Sequence, residues 1–324
     1  MSEADLLRRA ANLAAPWRTF PNPRVGCVIV DVDGAIVGEG AHEAAGGPHA
    51  EINALAAAGA QARGGTAYVT LEPCAHTGRT GPCTQALIEA GIVRVVVGVL
   101  DPNPIAAGGA EVLRSHGVRV DVVPVEEAAS VNEHWLHAMR AQRPFVTLKL
   151  ATSLDGRVAA AVGRETRISG SQASRAVHEL RARVDGILVG TNTAVIDDPA
   201  LTARDVPVQR QPRRFVMGRR ALPAGLQAFA GADAAVQLPT HDPHIALAAL
   251  HELEIRHLLI DGGPTVARAF VEADLVDELI WITAPVVLGD GPLAMGEAML
   301  DRVHRWTRVE TLAFDDDLWS RMRP

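Results

Sequence analysis

Short apolar segments alternate with amphipathic segments over most of this sequence, and that alternation limits the fold more strictly than any other feature. Predicted strands lie at 25–30, 35–40, 66–71, 93–100 and 118–123, and again at 144–153, 185–190, 213–218, 234–239, 256–263 and 276–289. Predicted helices begin at His49 and cover 84–90, 110–116, 172–183 and 264–273. A chain in which strands alternate with helices folds as a layered α/β structure.

A further predicted helix at 126–143 separates the two sets of strands. It places a domain boundary near Arg143 and predicts two α/β domains, 1–143 and 144–324. A length of 324 residues and a hydrophobic content of 48% are enough for two hydrophobic cores.

The composition argues against several classes of protein. No apolar run reaches the roughly 18 residues of a membrane-spanning helix, and the first residues lack the apolar core of a secretory signal. The net charge of −7 argues against a nucleic-acid partner, which usually needs a basic face. Three cysteines are too few for a disulfide scaffold and favour a reducing compartment. We therefore expect a cytoplasmic protein that binds neither membranes nor nucleic acid.

Four residues capable of metal and proton chemistry lie at predicted strand–helix junctions. His49 and Glu51 open the helix "HAEINALAAAGA", Cys74 follows the strand at 66–71, and Cys83 precedes the next helix. One imidazole and two thiolates leave one position open on a tetrahedral zinc, which is typical of a catalytic site. We predict that His49, Cys74 and Cys83 bind one Zn²⁺ and that Glu51 transfers a proton beside it. The alternative is three unrelated side chains around an ordinary buried helix.

The order His-x-Glu, Pro-Cys and Cys is that of the zinc-dependent nucleobase deaminases, although eight residues here separate the two cysteines. The segments "TFPNPRVGCVIV", "GPHAEINAL", "TLEPCAHTGRTGPC" and "DPNP" resemble the deaminase domain of the bifunctional riboflavin-biosynthesis deaminase–reductases. This resemblance implies a cytidine-deaminase-like three-layer domain in which the four residues above have the predicted roles. It also implies that a phosphoribosyl pyrimidine binds near Asn22, His42, His76 and Thr80. The third cysteine, Cys27, lies in an apolar strand and is predicted to be a core residue.

The second half contains one weak motif of its own, the glycine pair of "DGGPTVARAF" between a predicted strand and a helix. Such a turn can offer backbone N–H groups to a phosphate, although most such turns merely begin a helix. Together with "KLATSLDGR" and "HELRARVDGILVGTNTAVIDDPALTAR", it resembles the reductase domain of the same family, whose fold is that of dihydrofolate reductase. The resemblance implies hydride transfer from NADPH to the ribose C1′ of the deaminated product.

The same resemblance implies two sets of binding residues in the second half. Those that would face the substrate are Lys149, Asp155, Arg181, Leu201, Arg204 and Asp261. Those that would face NADPH are Ala151, Arg167, Thr193, Asp197, Gly263, Pro264, Thr265, Val266 and Ala267. Three positions depart from the family pattern: Glu165 replaces a serine, Arg167 replaces a tryptophan, and Asp261 replaces a glutamate. Lys149 is the only lysine beside 30 arginines, either through codon bias or because its position requires an amine.

The resemblance implies two successive steps of riboflavin biosynthesis, and we expect a homo-oligomer to carry them out. The chain would deaminate 2,5-diamino-6-(5-phosphoribosylamino)pyrimidin-4-one and then reduce the ribosyl group of the product to ribityl with NADPH. Glu165 and Arg167 leave open an alternative, an active deaminase whose second domain binds nucleotide or substrate without reducing it. Deamination of nucleic acid is disfavoured because the single tyrosine lies in a predicted strand and no basic groove is evident. A non-enzymatic zinc protein is disfavoured because the ligand set leaves one position open.

Overall fold

The computed structural model describes residues 1–76, 81–297 and 302–324. The chain forms two compact units, Met1–Ala141 and Gln142–Pro324, and each contains one sheet with helices around it. The predicted α/β fold class is confirmed. Within the described residues, no helix is both long enough and apolar enough to cross a membrane.

The first unit is built on a five-stranded sheet. Its strands are β1 (Gly26–Val30), β2 (Ile36–Ala41), β3 (Thr66–Leu71), β4 (Arg94–Val99) and β5 (Arg119–Val122). Its helices are α1 (Glu3–Ala14), α2 (Ala50–Ala58), α3 (Cys83–Glu89), α4 (Gly109–Ser115), α5 (Glu126–Ser130) and α6 (Glu133–Ala141). The strand order is β2-β1-β3-β4-β5; β1 runs antiparallel to both its neighbours, and β3, β4 and β5 are parallel.

Helices cover both faces of this sheet. Successive residues of a strand point to opposite faces, and the residues of β1 on each face are buried against helices. Cys27 and Ile29 of β1 belong to one buried cluster, which includes residues of α2, α3 and α4. Val28 and Val30 belong to a second cluster, which includes residues of α1 and α5. The unit is therefore a three-layer structure. Cys27 is fully buried in the first cluster, as its apolar strand predicts.

The prediction of one helix at 126–143 is wrong. The structure contains two helices, α5 and α6, with a break at Val131 and Asn132. The break has a physical cause, because the Asn132 side chain forms hydrogen bonds with the backbone of Arg24. Helix α1 was not predicted, although Ser2 and Asp5 form a capping box at its start.

The second unit is built on an eight-stranded sheet. Its strands are β6 (Phe145–Thr152), β7 (Gly186–Gly190), β8 (Arg213–Met217), β9 (Val236–Leu238), β10 (His257–Asp261), β11 (Glu278–Thr283), β12 (Thr307–Phe314) and β13 (Asp317–Arg323). Its helices are α7 (Ser171–Arg181), α8 (Thr191–Ile196), α9 (Pro243–Glu252) and α10 (Pro264–Glu272). The strand order is β12-β13-β11-β6-β10-β7-β8-β9; β13 runs antiparallel to β11 and β12, and the other neighbouring strands are parallel.

The parallel strands of this sheet end along one edge. Asp261, the last residue of β10, pairs with Lys149 of β6, and Gly190, the last residue of β7, pairs with Met217, the last residue of β8. The carboxyl ends of β6, β10, β7 and β8 therefore form one continuous edge, where ligands of open α/β sheets usually bind.

The predicted strand at 276–289 is too long. β11 ends at Thr283, and Pro285 follows two residues later. A proline cannot donate to a central strand, and β11 has neighbours on both sides. Helices α8 and α9 and strands β12 and β13 were not predicted.

Candidate active sites

Three side chains of the first unit converge at the ends of different elements. His49 is the N-cap residue of α2, Cys74 follows β3, and Cys83 is the first residue of α3. His49 Nδ1 lies 3.2 Å from Cys83 Sγ and 3.6 Å from Cys74 Sγ, and the three atoms lie within 4.8 Å of one another. One nitrogen and two sulfurs at this spacing fit a tetrahedral zinc that keeps a fourth position open.

The two thiols of this group differ in their protonation. The hydrogen bond from the Cys83 thiol, together with one to His49, lowers the pKa of Cys74 to about 4. The neighbouring Cys74 sulfur and burial raise the pKa of Cys83. The backbone N–H of Cys83 also donates to Cys74 Sγ over 3.4 Å. Cys74 therefore offers a thiolate, the form in which cysteine binds metals.

Glu51 lies beside the metal-ligating group and outside it. It is the second residue of α2 and is 3% exposed. Burial raises the pKa of its carboxyl above the usual value. The structure thus brings His49, Glu51, Cys74 and Cys83 together, while the roles of the four residues stay predictions.

Asn22 and His42, both predicted to meet the substrate, contact each other. His42 is 3% exposed, and burial lowers its pKa, so the ring is neutral near pH 7. Its Nδ1 lies 2.9 Å from the carbonyl oxygen of Pro48 and must donate, since a carbonyl only accepts. Its Nε2 therefore accepts from the Asn22 amide over 3.1 Å. The His42 ring also lies against the ring of His49, with centroids 5.3 Å apart.

Asn132 is a residue that the sequence analysis missed. Its Oδ1 accepts from the Arg24 backbone N–H, and its Nδ2 donates to the Arg24 carbonyl, each over 2.7 Å. Asn132 is 3% exposed and ties down the segment that carries Asn22. Thr19 supports the same segment, since its hydroxyl donates to the Asn22 carbonyl over 2.8 Å. The only available signal was an asparagine inside a predicted helix, where its short polar side chain is unfavourable.

Replacing Asn132 with alanine is expected to raise the KM of the deamination substrate about tenfold. The change removes two hydrogen bonds to the backbone of Arg24, worth about 0.5–1.5 kcal/mol each, and loosens the segment that holds Asn22. Steady-state ammonia release measures the effect, and the NADPH oxidation of the same protein serves as an internal control. An unchanged KM would show that Asn132 does not position this segment.

The remaining predicted residues of the first unit are less well defined. His76 is half-buried, and among the described residues its Nδ1 has no hydrogen-bond partner. Thr80 lies outside the described residues. The contacts of His76 and Thr80 with a substrate stay predictions.

In the second unit, a carboxylate lies between two cations at the edge of the sheet. Lys149 Nζ lies 3.4 Å from Asp261 Oδ1, and the Arg181 guanidinium donates to Asp261 Oδ2 through Nε, over 3.0 Å, and through Nη2. Burial alone would raise the pKa of Asp261, but Arg181 and Lys149 outweigh it and hold that pKa well below its usual range. Arg181 also donates through Nη1 to the Thr202 carbonyl over 3.3 Å. Both oxygens of Asp261 are therefore used within the protein.

The other predicted substrate residues occupy different surroundings. Asp155 accepts from the backbone N–H groups of Leu288 and Gly289 over 3.1 and 2.8 Å, so its carboxylate joins two loops. The side chain of Leu201 is 1% exposed within a core cluster, and only its backbone is left to meet a ligand. The Arg204 side chain is exposed, while its backbone N–H donates to His178 Nδ1 over 3.2 Å.

Several predicted cofactor residues meet at the first turn of α10. Gly262 and Gly263 have φ values of 77° and 85°, a region that favours glycine. A Cβ at Gly263 would lie 2.7 Å from Thr193 Oγ1, and a Cβ at Gly190 would lie 2.8 Å from Val266 Cγ2. A backbone packed this closely at the start of a nine-residue helix fits a phosphate of NADPH.

Three further residues predicted to bind the cofactor lie outside the turn before α10. Ala151 lies in β6 and is partly buried. Asp197 is the C-cap residue after α8, and burial, with Glu165 and Asp261 nearby, raises its pKa. Arg167 is exposed in the segment between β6 and α7, and none of its described contacts links it to the residues above.

Two family models match this chain. The model of the cytidine and deoxycytidylate deaminase zinc-binding region matches residues 1–99. The model of the RibD C-terminal domain matches residues 144–320.

Curated relatives match over nearly the full length. The riboflavin biosynthesis protein RibD of Aquifex aeolicus is 39% identical over 97% of this chain and 96% of its own. Its namesake from Escherichia coli K12 is 42% identical over 89% of each chain. Among solved structures, Acinetobacter baumannii RibD has a TM-score of 0.92 at 37% identity, covering 99% of this chain and 98% of its own. A diaminohydroxyphosphoribosylaminopyrimidine deaminase/5-amino-6-(5-phosphoribosylamino)uracil reductase from Thermotoga maritima has a TM-score of 0.87 at 32% identity, with the same coverage.

Proposed function

The chain belongs to the RibD family of riboflavin biosynthesis proteins, and we propose that it deaminates a diaminopyrimidine phosphoriboside and then reduces the product. The observation that carries this proposal is the group His49, Cys74 and Cys83 beside the buried Glu51. In the second unit, the Lys149–Asp261–Arg181 cluster supports reduction. The cofactors are zinc for the first reaction and NADPH for the second.

Zinc, when held by His49, Cys74 and Cys83, supplies a Lewis acid that makes a water molecule more acidic. Glu51 can take the proton from that water, because its carboxyl lies next to the ligands and does not close the fourth position. The oxygen of that water then bonds to the ring carbon that carries the amino group, and the same carboxyl can deliver the proton to this amino group as its C–N bond breaks and it leaves as ammonia. Asn22 donates to His42 through Nδ2, so its Oδ1 is available to accept an N–H group of the pyrimidine.

NADPH, when bound at the turn before α10, supplies the hydride. Asp261 holds the Lys149 ammonium at the sheet edge, and the remaining N–H groups of that ammonium can donate to the ribosyl oxygen as the sugar ring opens. Arg181 is occupied by Asp261 and by the Thr202 carbonyl. Arg204, whose side chain is exposed nearby, is therefore the better candidate to bind the substrate phosphate.

We propose that the deaminase domain spans residues 1–143 and the reductase domain residues 144–324. The division of the chain into compact units between Ala141 and Gln142 supports a boundary at this place. We further propose a cytoplasmic location. It is supported by the three cysteines, none of which forms a disulfide within the described residues. A homo-oligomeric state stays a prediction.

Removal of zinc from the full chain is expected to stop ammonia release and to leave reduction of the deaminated intermediate intact. Within the described residues, the group formed by His49, Cys74 and Cys83 is the only one placed to hold a metal ion, and it lies in the first unit. The measurement compares ammonia release and NADPH oxidation before and after chelation, well below the unfolding temperature, because loss of a bound metal lowers stability. Equal loss of both activities in a protein that circular dichroism shows to be still folded would contradict the claim that reduction does not depend on the zinc site.

Lys149→Arg is expected to reduce NADPH oxidation by at least tenfold while ammonia release stays constant. A guanidinium is wider than an ammonium and cannot take its place beside Asp261, which already binds Arg181. The assay supplies the deaminated intermediate and varies NADPH. A rate equal to that of the unmodified protein would remove Lys149 from the reductase site and leave codon bias as the explanation of the single lysine.

A further inference from the structure

We infer that His178 and Gln211 are positioning residues of the reductase site, and that they hold the segment 198–205 in the conformation that presents Arg204 to the substrate phosphate. This inference rests on the proposed function, in which Arg204 binds that phosphate. It adds two residues that lie outside the predicted binding set. Both act through the backbone of the segment and not through contact with the substrate.

The segment 198–205 has a strained backbone. Asp198, Leu201 and Asp205 have φ values of 39°, 52° and 59°. A residue with a Cβ rarely adopts this left-handed region, and leucine does so less readily than aspartate. Such a conformation persists only where the surrounding structure holds it, and it is found most often at functional sites. The segment therefore needs contacts from other elements to keep its shape.

Side chains from other elements bond to the backbone of this segment at successive places. Three arginines, each through Nη1 over 3.3 Å, donate to its carbonyl oxygens: Arg214 to Ala200, Arg181 to Thr202 and Arg175 to Asp205. An arginine can only donate, so these three cannot hold a backbone N–H group. Gln211 and His178 supply the acceptors that the N–H groups between them need.

The Gln211 side-chain amide forms two hydrogen bonds with Ala203. Its Oε1 accepts from the Ala203 N–H, and its Nε2 donates to the Ala203 carbonyl, each over 2.9 Å. Together the two bonds fix the peptide groups on both sides of Ala203, which is 3% exposed. Because Arg204 is the next residue, its backbone continues from a fixed point.

His178 holds Arg204 itself. It lies in α7, and its Nδ1 accepts from the Arg204 backbone N–H over 3.2 Å. Burial, with Arg181 and Arg204 nearby, lowers the pKa of His178, so near pH 7 the ring is neutral and its Nδ1 can accept.

The Arg204 guanidinium is exposed and has no hydrogen bond or ion pair within the described residues. It can therefore bind a phosphate without giving up another contact. Since no other contact fixes this guanidinium, its place depends on the backbone that His178 and Gln211 hold.

The experiment measures kcat and KM for reduction of the deaminated intermediate by the full chain, with and without the phosphate of the intermediate. His178→Leu removes the acceptor, whereas His178→Asn keeps one, because asparagine Oδ1 lies nearly where histidine Nδ1 does. Gln211→Leu removes both bonds to Ala203. His244→Leu is the matched control, because His244 is an exposed histidine in α9 of the same unit. Arg204→Ala tests the phosphate contact itself.

His178→Leu and Gln211→Leu are each expected to raise the KM of the phosphorylated intermediate about three- to tenfold, as the loss of one or two hydrogen bonds predicts. Their kcat, their KM for NADPH and their ammonia release should stay nearly constant. His178→Asn and His244→Leu should keep a KM close to that of the unmodified protein. The intermediate without its phosphate should react poorly with every protein, and equally with each.

An unchanged KM in both leucine variants, a fall in kcat at constant KM, or an equal rise with and without the phosphate would overturn the inference. So would a rise in His178→Asn as large as that in His178→Leu, because the effect would then come from packing and not from the hydrogen bond. These results would leave the proposed function standing. An unchanged KM in Arg204→Ala would remove the phosphate contact and the inference with it, and an unmodified protein that did not reduce the intermediate would contradict the proposed function itself.

Discussion

Replacing Glu51 with glutamine is expected to lower the rate of ammonia release by about 10²- to 10⁴-fold while zinc stays bound. Glutamine keeps the size of the side chain but cannot take up and release a proton. Glu51 is buried beside His49, Cys74 and Cys83 without belonging to the group that could hold the metal. The loss should therefore appear in kcat and not in the metal content.

The measurement combines steady-state ammonia release with metal analysis of the same protein. Glu111→Gln is a suitable control, because Glu111 is an exposed glutamate in α4 of the same unit. Near-normal ammonia release in Glu51→Gln would remove this residue from the mechanism. Loss of zinc in the variant would mean that Glu51 is itself a ligand.

Replacing Asp261 with asparagine is expected to lower the rate of reduction by about 10²-fold, because a small misplacement of a reacting group has an effect of that order. The side chains of Lys149, Arg181 and Asp261 are 17%, 15% and 7% exposed, so the change leaves two largely buried cations without their counter-charge. Removing one partner of a buried ion pair costs about 3–5 kcal/mol of stability. The pKa of Asp261 lies well below its usual range, so the carboxylate that the change removes is charged throughout the pH range of an assay.

NADPH oxidation with the deaminated intermediate measures the catalytic effect, and ammonia release shows whether the first unit is intact. Asp316→Asn, a change at an exposed position in the turn between β12 and β13, is the matched control. A variant that reduced the intermediate at the normal rate would show that Lys149 and Arg181 do not need Asp261 to hold them in place for catalysis. A parallel fall in ammonia release would indicate general unfolding.

The possible zinc ligands could be predicted because their chemistry depends on residue types that lie at strand–helix junctions, and the sequence pattern indicates where those junctions are. His49, Cys74 and Cys83 each lie beside the end of an apolar strand or the start of a helix, and their side chains meet in the structure. The same alternation of strands and helices predicted the α/β class and most strands of both sheets. These signals are local, and each can be found within a few residues of the chain.

The features that were missed depend on contacts between distant parts of the chain. Asn132 interrupts a predicted helix because it pairs with Arg24, which lies 108 residues earlier. β12 lies at the edge of its sheet with nearly all its residues exposed, so it lacks the apolar alternation that marks a half-buried strand.

The most direct test of the bifunctional assignment is to follow both products when the purified full chain acts on the diaminopyrimidine phosphoriboside. With zinc and NADPH present, ammonia release and NADPH oxidation should proceed in equal amounts, with ammonia appearing first. Omitting NADPH should leave ammonia release unchanged. Ammonia release without NADPH oxidation would contradict the account, and would make Glu165 and Arg167 the first positions to change, to serine and tryptophan.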